Sequence, residues 1–336
     1  MDPLSPPRQD VWLRMEDPSA IGAARRIATA LAEDRNFGEE HVGQVAVAVS
    51  EAASNLVKHA SSGMMLVRPH ASSPATIEVV SIDDGPGMAD TVGPIRDGYS
   101  TAGTLGIGLG AITRLSDSYD IYSRPGVGTV LSMRFTAKDA PPPDSRACGL
   151  YRPVGDEVEC GDAFAYEDTG TVVTAIVCDG LGHGLAAAIA SREAIRVFRE
   201  RSDSSPTTIV ERVHNSLGHT RGGAVAVVRI DRSTGSVRYT GIGNISGWIC
   251  HSEGRQGLVS VPGIAGHKAR TFREFQYELP PHGVVVMHSD GLTERWDLTS
   301  YPGLLTHTAP VIAGTLLRDA AIRRDDACVL AIRADR

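Results

Sequence analysis

Two groups of residues carry types and spacings that could do chemistry. In the first, Glu51, Asn55 and His59 recur at intervals of four, so they share one face of a helix. Downstream, an apolar run ends in Asp83-Asp84-Gly85-Pro86-Gly87, and Gly103-Thr104-Leu105-Gly106-Ile107-Gly108-Leu109-Gly110 leads straight into another helical pattern. Glycines let backbone N–H groups turn towards an anion, and a helix N-terminus adds a positive dipole end. A carboxylate and an amide one turn apart, Glu51 and Asn55, could orient a hydroxyl and hold a metal ion. Taken alone that pair reads as a solvated helix face, and Asp83 as a plain turn. Their joint occurrence points to a nucleotide.

The second group is a set of acidic corners: Gly161-Asp162, Asp179-Gly180, Ser289-Asp290-Gly291 and Asp325-Asp326, each beside an apolar run. Each taken singly is a β-turn. Four carboxylates brought to one rim of a sheet sandwich suit divalent cations, which prefer oxygen ligands, and two such ions can share a water and lower its pKa. A hydroxide made in this way attacks a phosphate ester in line and needs no protein nucleophile. No Cys sits in a phosphate-cradling loop, and no Ser/His/Asp set is convincingly spaced. The last corner is open by one position; Asp326, next to the strand, is preferred over Asp325.

The elements that must position these residues follow from length and pattern. The chain has 336 residues, 33 Lys+Arg against 40 Asp+Glu for a net charge of −7, and 36 glycines. That length suggests two domains. Lys138–Arg146 holds three consecutive prolines, which favour extended backbone and cannot continue a helix. Domains are therefore expected at 1–137 and 148–336, joined by a linker over 138–147. In the first, apolar spacing predicts helices over 19–32, 39–59 and 108–115 and strands over 64–68, 75–83, 118–123 and 130–136. In the second it predicts strands over 163–166, 172–178, 224–230, 236–241, 247–251, 283–289 and 327–332, with helices over 186–201, 207–217 and 310–321. Both halves read as α+β.

Composition excludes other classes. No apolar run approaches the ~20 residues that span a bilayer, and the opening MDPLSPPRQD lacks the basic and apolar stretches of a signal peptide. A net acidic chain without a basic block is a poor partner for nucleic acid or anionic membrane. Five scattered cysteines, odd in number, read as free thiols of a cytoplasmic protein.

Residues 15–136 resemble the Bergerat-type ATP-binding α/β sandwich of the GHKL superfamily, through SEAASNLVKHA, IDDGPGM and GTLGIGLGA. The resemblance implies ATP/ADP with Mg2+: Glu51 as general base, Asn55 on the metal, and Asp83 with Gly85, Gly87 and Thr129 around adenine. Gly103, Thr104, Gly106, Gly108 and Gly110 would wrap the phosphates. The stretch GYSTAGTLGIGLGAITRLSDSYDIYSRPGVGT is similar to the RsbT-type serine kinases of bacterial partner switching.

Residues 149–333 resemble the metal-dependent PPM protein phosphatases, an α-β-β-α sandwich, in their SpoIIE-like branch and most closely its RsbX type. The carriers are CGDAF, VCDGLGHGLAAAIAS, GAVAVVRID, GIGNI, HSDGLTE and RRDDACVLAIR. The resemblance implies two Mn2+ or Mg2+: Asp179 bridging both, the Gly180 carbonyl and Asp162 on one, Asp290 and Asp326 on the other. Against it, Asp156 is a weaker rival to Asp162, His183 is either a general acid or a loop histidine, and Asn244 either orients a metal-bound water or caps a turn. Together the two resemblances imply a bifunctional kinase and phosphatase acting on STAS-domain proteins of the RsbS or RsbR kind, with a downstream phosphatase or sigma regulator as a further partner. The alternative is an anti-sigma or regulatory binding module whose nucleotide state controls the attached phosphatase.

Overall fold

A computed structural model describes residues 10–71, 73–89, 107–155, 157–269, 271–322 and 324–334. The chain divides into two units, Met1–Asp144 and Ser145–Arg336, the division falling just after the proline run.

In the first unit, Asp17 starts α1 (Pro18–Asp34) by accepting the Ser19 N–H at 2.7 Å, with Pro18 in the first turn where no amide is needed. Helix α2 (Glu39–His59) carries Glu39 and Glu40 in its first turn and Lys58 and His59 in its last, as its macrodipole favours. Its buried stripe is Val45, Ala48, Val49, Ala52, Ala53 and Leu56. These helices and α3 (Ile107–Leu115) cover one face of an antiparallel sheet of β1 (Val11–Arg14), β2 (Gly63–His70), β3 (Ser73–Asp83), β4 (Ser118–Arg124) and β5 (Gly128–Thr136). Its order is β1-β2-β3-β5-β4. Met65, Val67, Ile77, Val79, Met133 and Phe135 supply the sheet side of the core. Each such side chain, fully buried, contributes about 1.5–3 kcal/mol. The intervening residues include Arg68, Glu78 and Arg134, aligned across three strands. Glu78 is 1% exposed and accepts hydrogen bonds from both guanidinium groups.

In the second unit, two five-stranded antiparallel sheets stack. One runs β13 (Phe275–Glu278), β10 (Ser236–Ile242), β9 (Gly223–Asp231), β8 (Val172–Gly180), β7 (Asp162–Asp168); the other runs β12 (Gly254–Leu258), β11 (Ser246–His251), β14 (Val284–His288), β15 (Ala327–Arg333), β6 (Ala147–Arg152). Val173, Ala175, Val177, Val228 and Ile230 of the first sheet meet Ile249, Val285, Met287, Leu330 and Ile332 of the second. Alternate residues, Ile176 and Cys178 among them, face outward against α4 (Leu185–Glu200) and α5 (Pro206–Ser216). Helix α6 (Ala309–Ala320) packs on β6 and β15, completing an α-β-β-α sandwich.

Every helix and strand the pattern predicts is present, with ends shifted by at most two residues. Four strands escape it: β1, β6, β12 and β13. All four are sheet edges, where a strand has one pairing neighbour and need not alternate apolar with polar residues. All five cysteines are free and buried. No helix among the described residues is long and apolar enough to cross a membrane.

Candidate nucleotide and metal sites

In the first unit, α2 presents Glu51 and Asn55 to the start of α3. A side chain beginning at Gly108 would lie 2.9 Å from Glu51 Oε2 and 3.6 Å from Asn55 Oδ1. Glycine there keeps the first turn of α3, which also contains Gly110, open to both groups. Asp83, the last residue of β3, accepts the Gly85 N–H at 2.8 Å and the Thr129 N–H at 3.2 Å through Oδ1. Thr129 Oγ1 lies 2.9 Å from Ser123 Oγ, which accepts the Met88 N–H at 2.8 Å. Gly87 (φ +62°) and Gly128 (φ +125°) pack against the carbonyls of Arg124 and Asp83, where no Cβ would fit. The neighbouring Asp84 is differently employed: it accepts the Ser62 N–H at 2.6 Å and the Ser62 hydroxyl at 3.1 Å, fixing the turn after α2. Gly103, Thr104 and Gly106 lie outside the described residues.

In the second unit, Asp162 and Asp179 stand directly opposite each other on β7 and β8. Asp290 follows β14, and its Oδ2 accepts from Asn244 Nδ2 at 2.6 Å. The Asp179 and Asp290 carboxyls are close enough to act on each other. Burial, then the charges of Asp290 and Asp325, push Asp179 up to about 8. Burial also lifts Asp162 well above the carboxylate range, with the charge of Asp179 adding to it. Asp290 rises through burial and then the charge of Asp325, against the hydrogen bonds from Asp179 and Asn244. No Lys or Arg is among the leading causes of these shifts. Gly180 and Gly291 let the corners close: a Cβ would fall 2.2 Å from the Ala187 carbonyl oxygen and 1.7 Å from that of Asp326.

Asp326 behaves differently from the other three. It is 2% exposed and accepts the Val154 N–H through Oδ1 and the Gly161 N–H through Oδ2, each at 2.7 Å. It clamps the entry to β7. Asp325 is the member of the pair whose charge acts more strongly on Asp179 and Asp290. Asp156, the rival to Asp162, lies outside the described residues.

Comparison with known proteins matches each half separately. Residues 15–135 match the family "Histidine kinase-like ATPase domain", and residues 169–335 match "Stage II sporulation protein E (SpoIIE)". Over 110 residues the chain is 33% identical to the serine/threonine-protein kinase RsbT of Bacillus subtilis, covering 32% of this chain and 83% of RsbT. Through its first half the chain belongs to the RsbT family, and its second half matches the SpoIIE model. A solved structure from work on the bacterial stressosome, 27% identical with a TM-score of 0.52, covers 56% of this chain and 98% of its own. A solved RsbX in complex with magnesium is 18% identical with a TM-score of 0.49, covering 56% of this chain and 94% of its own.

The SpoIIE domain offers hard oxygen donors carrying negative charge that burial and mutual repulsion leave uncompensated, the chemistry that divalent cations satisfy. Among the described residues, no three or more His, Cys, Asp or Glu side chains are gathered closely enough to hold an ion as they stand. The charges of Asp179 and Asp290 nonetheless both raise Asp162, and that of Asp290 raises Asp179. The donor set fits the ions. Sequence reasoning missed Ser289 of this domain, whose hydroxyl donates to Asp162 Oδ2 at 2.5 Å and accepts the Cys328 N–H at 3.0 Å. The Ser-Asp-Gly triplet was the available signal. Asn244 orients Asp290 rather than capping a turn. His183 is exposed, its Nδ1 3.2 Å from Glu157 Oε1. In the ATPase domain, the histidine one turn beyond Asn55, His59, packs its backbone carbonyl against Gly85.

Proposed function

We propose that the chain is a cytoplasmic protein-serine/threonine kinase and metal-dependent phosphoprotein phosphatase in one polypeptide. Its domains are 1–137 and 148–336, and it sets the phosphorylation of STAS-domain proteins, RsbS- or RsbR-like, in a partner switch. A downstream phosphatase or sigma regulator is the further partner. One observation carries the reading: a single chain holds Glu51 and Asn55 facing the glycine start of α3, and also the Asp162–Asp179–Asp290 corner. The likeness to RsbT and to SpoIIE supports it.

In the ATPase domain, Asp83 is held by two backbone amides and takes the adenine amino group. Asn55 would hold Mg2+ on the ATP phosphates, and Gly103, Thr104, Gly106, Gly108 and Gly110 surround them with backbone N–H groups. Glu51 accepts the proton of the substrate hydroxyl as its oxygen attacks the γ-phosphorus and ADP leaves. Positioning and charge neutralisation supply most of such catalysis.

In the SpoIIE domain, Asp162, Asp179, the Gly180 carbonyl, Asp290 and Asp325 would hold two Mn2+ or Mg2+. Bound there, such ions would supply a water of lowered pKa for attack on the phosphate ester. Asn244 fixes the orientation of Asp290, Ser289 fixes Asp162, and Asp326 anchors Gly161 so that β7 begins at a set height.

The test is incubation of the full chain with ATP, Mg2+ and a purified STAS-domain protein. Phosphate appearing on a serine or threonine, and absent with Glu51→Gln, supports the reading. A wild-type chain that binds the STAS protein tightly yet neither adds nor removes phosphate overturns it.

A further inference from the structure

The acidic corner leaves one problem for the phosphatase reading on which this inference rests. A phosphate ester arrives as an anion at a rim built of aspartates. Loaded ions offset part of the repulsion, but orientation of the ester calls for a donor aimed from the protein. Among the described residues, Arg221 forms no hydrogen bond or ion pair. The neighbouring cations are taken: Arg192 pairs with Glu159, and His183 with Glu157.

Arg221 sits where such a donor is needed. Gly180, next to Asp179, pairs with Gly223 across β8 and β9. The Leu181 N–H donates to the Gly222 carbonyl at 3.0 Å. Beyond it, the Arg221 guanidinium lies against Gly182, its Nη1 3.0 Å from where a side chain there would begin. Gly182 also meets the Gly161 corner: a Cβ at Gly161 would be 3.3 Å from the Gly182 carbonyl oxygen and 2.8 Å from Asp326 Oδ2. Gly182 thus lies against both the Arg221 guanidinium and the corner at which β7, with Asp162, begins.

The stem of Arg221 is anchored. Thr220 donates its N–H and hydroxyl to the Leu217 carbonyl at 2.9 and 2.8 Å, and its own carbonyl lies 3.0 Å from His267 Nε2. Gly222 adopts φ +76°, its N–H held by Thr220 Oγ1 at 3.0 Å, and a Cβ there would fall 2.4 Å from the Ala265 carbonyl oxygen. The backbone either side of Arg221 is fixed while its side chain is exposed. A planar guanidinium is suited to two oxygens of one phosphate.

We propose that Arg221 binds the phosphoryl group of the phosphorylated protein substrate at the mouth of the SpoIIE site. Arg221→Ala is expected to weaken inorganic phosphate binding to the Mn2+-loaded full chain, followed by calorimetry, by about tenfold or more. It is expected to raise KM for p-nitrophenyl phosphate by a similar factor, with Mn2+ affinity unchanged. Arg221→Lys recovers part of the loss, and Arg192→Ala changes none of these quantities. Phosphate affinity equal to wild type in Arg221→Ala overturns the proposal. A parallel loss of Mn2+ affinity also overturns it, because Arg221 would then act on the metal site. Failure of the wild-type chain to hydrolyse any phosphate ester is a different result: it removes the phosphatase reading, while the calorimetry still decides whether Arg221 takes phosphate.

Discussion

The carboxyls of Asp179 and Asp290 act directly on each other, although 110 residues separate them in the chain. Two strand ends from different sheets thus meet at one acidic corner. Buried carboxylates cannot both stay ionised at close range without a compensating charge. A divalent cation would supply that charge.

Asp179→Asn and Asp290→Asn should remove metal binding while leaving the sandwich folded, because each swaps a carboxylate for an amide of similar volume. Mn2+ at a hundredfold excess over Kd should stabilise the wild-type chain by about 2.7 kcal/mol. Calorimetric scans with Mn2+, and again after EDTA, should show a reversible rise in Tm for wild type and none for either variant.

The two members of Asp325-Asp326 should separate cleanly. Asp326→Ala strands the buried amides of Val154 and Gly161, at a cost of about 1–3 kcal/mol each. It should lower the urea midpoint strongly. Asp325→Asn should leave the midpoint near wild type and weaken Mn2+ binding instead. Equal effects of both substitutions on folding would remove the distinction between clamp and ligand.

That pair shows what the sequence made legible. The Asp-Gly corners could be read because a carboxylate at a strand end followed by glycine is a local pattern, as Asp179-Gly180 and Asp290-Gly291 are. Which of two adjacent aspartates faces the cluster depends on the turn between α6 and β15, and on the amides of Val154 and Gly161 more than 160 residues away. Central strands such as β8 and β9 announced themselves by unbroken apolar runs. The edge strands β1, β6, β12 and β13 did not, since GRQGL or FQYE becomes a strand only when a neighbour offers its free edge. Ser289 stood in a legible Ser-Asp-Gly triplet, but its role did not show there because its hydroxyl acts on Asp162, 127 residues away.

In the ATPase domain, Glu51→Gln should keep nucleotide affinity and lose phosphotransfer by about 10²–10⁴-fold, the usual contribution of a general base. Asp83→Asn should lose nucleotide affinity, because its carboxylate is the group set at the end of β3 to meet the adenine. Fluorescent-nucleotide titration alongside γ-phosphate transfer separates the two. Loss of ATP binding in Glu51→Gln would move that residue from chemistry to binding.

Acid should destabilise the first unit in two steps. Burial is the main reason His70 falls to about 4, with Arg134 and Arg68 adding to it against Glu78. A base with a depressed folded pKa contributes full stability above its unfolded value near 6.5, and that stability is lost as pH falls towards 4. Burial alone would raise Glu78, but the Arg68 and Arg134 charges outweigh it and hold the carboxyl at about 2. Its contribution is complete above about 4.5 and is lost as pH falls towards 2. Urea midpoints should drop from pH 6.5 downward, and His70→Asn should flatten the part between 6.5 and 4. Unchanged pH dependence in that variant would contradict the assignment.

The claim that one chain adds and removes the same phosphate is tested most directly by following a single STAS-domain phosphoserine or phosphothreonine by mass spectrometry. Wild type, Glu51→Gln and Asp179→Asn are each given ATP with Mg2+, then apyrase with Mn2+. The expected result is gain then loss with wild type, no gain with Glu51→Gln, and gain without loss with Asp179→Asn. Phosphate that appears with Glu51→Gln as fast as with wild type, or disappears as fast with Asp179→Asn, would contradict it.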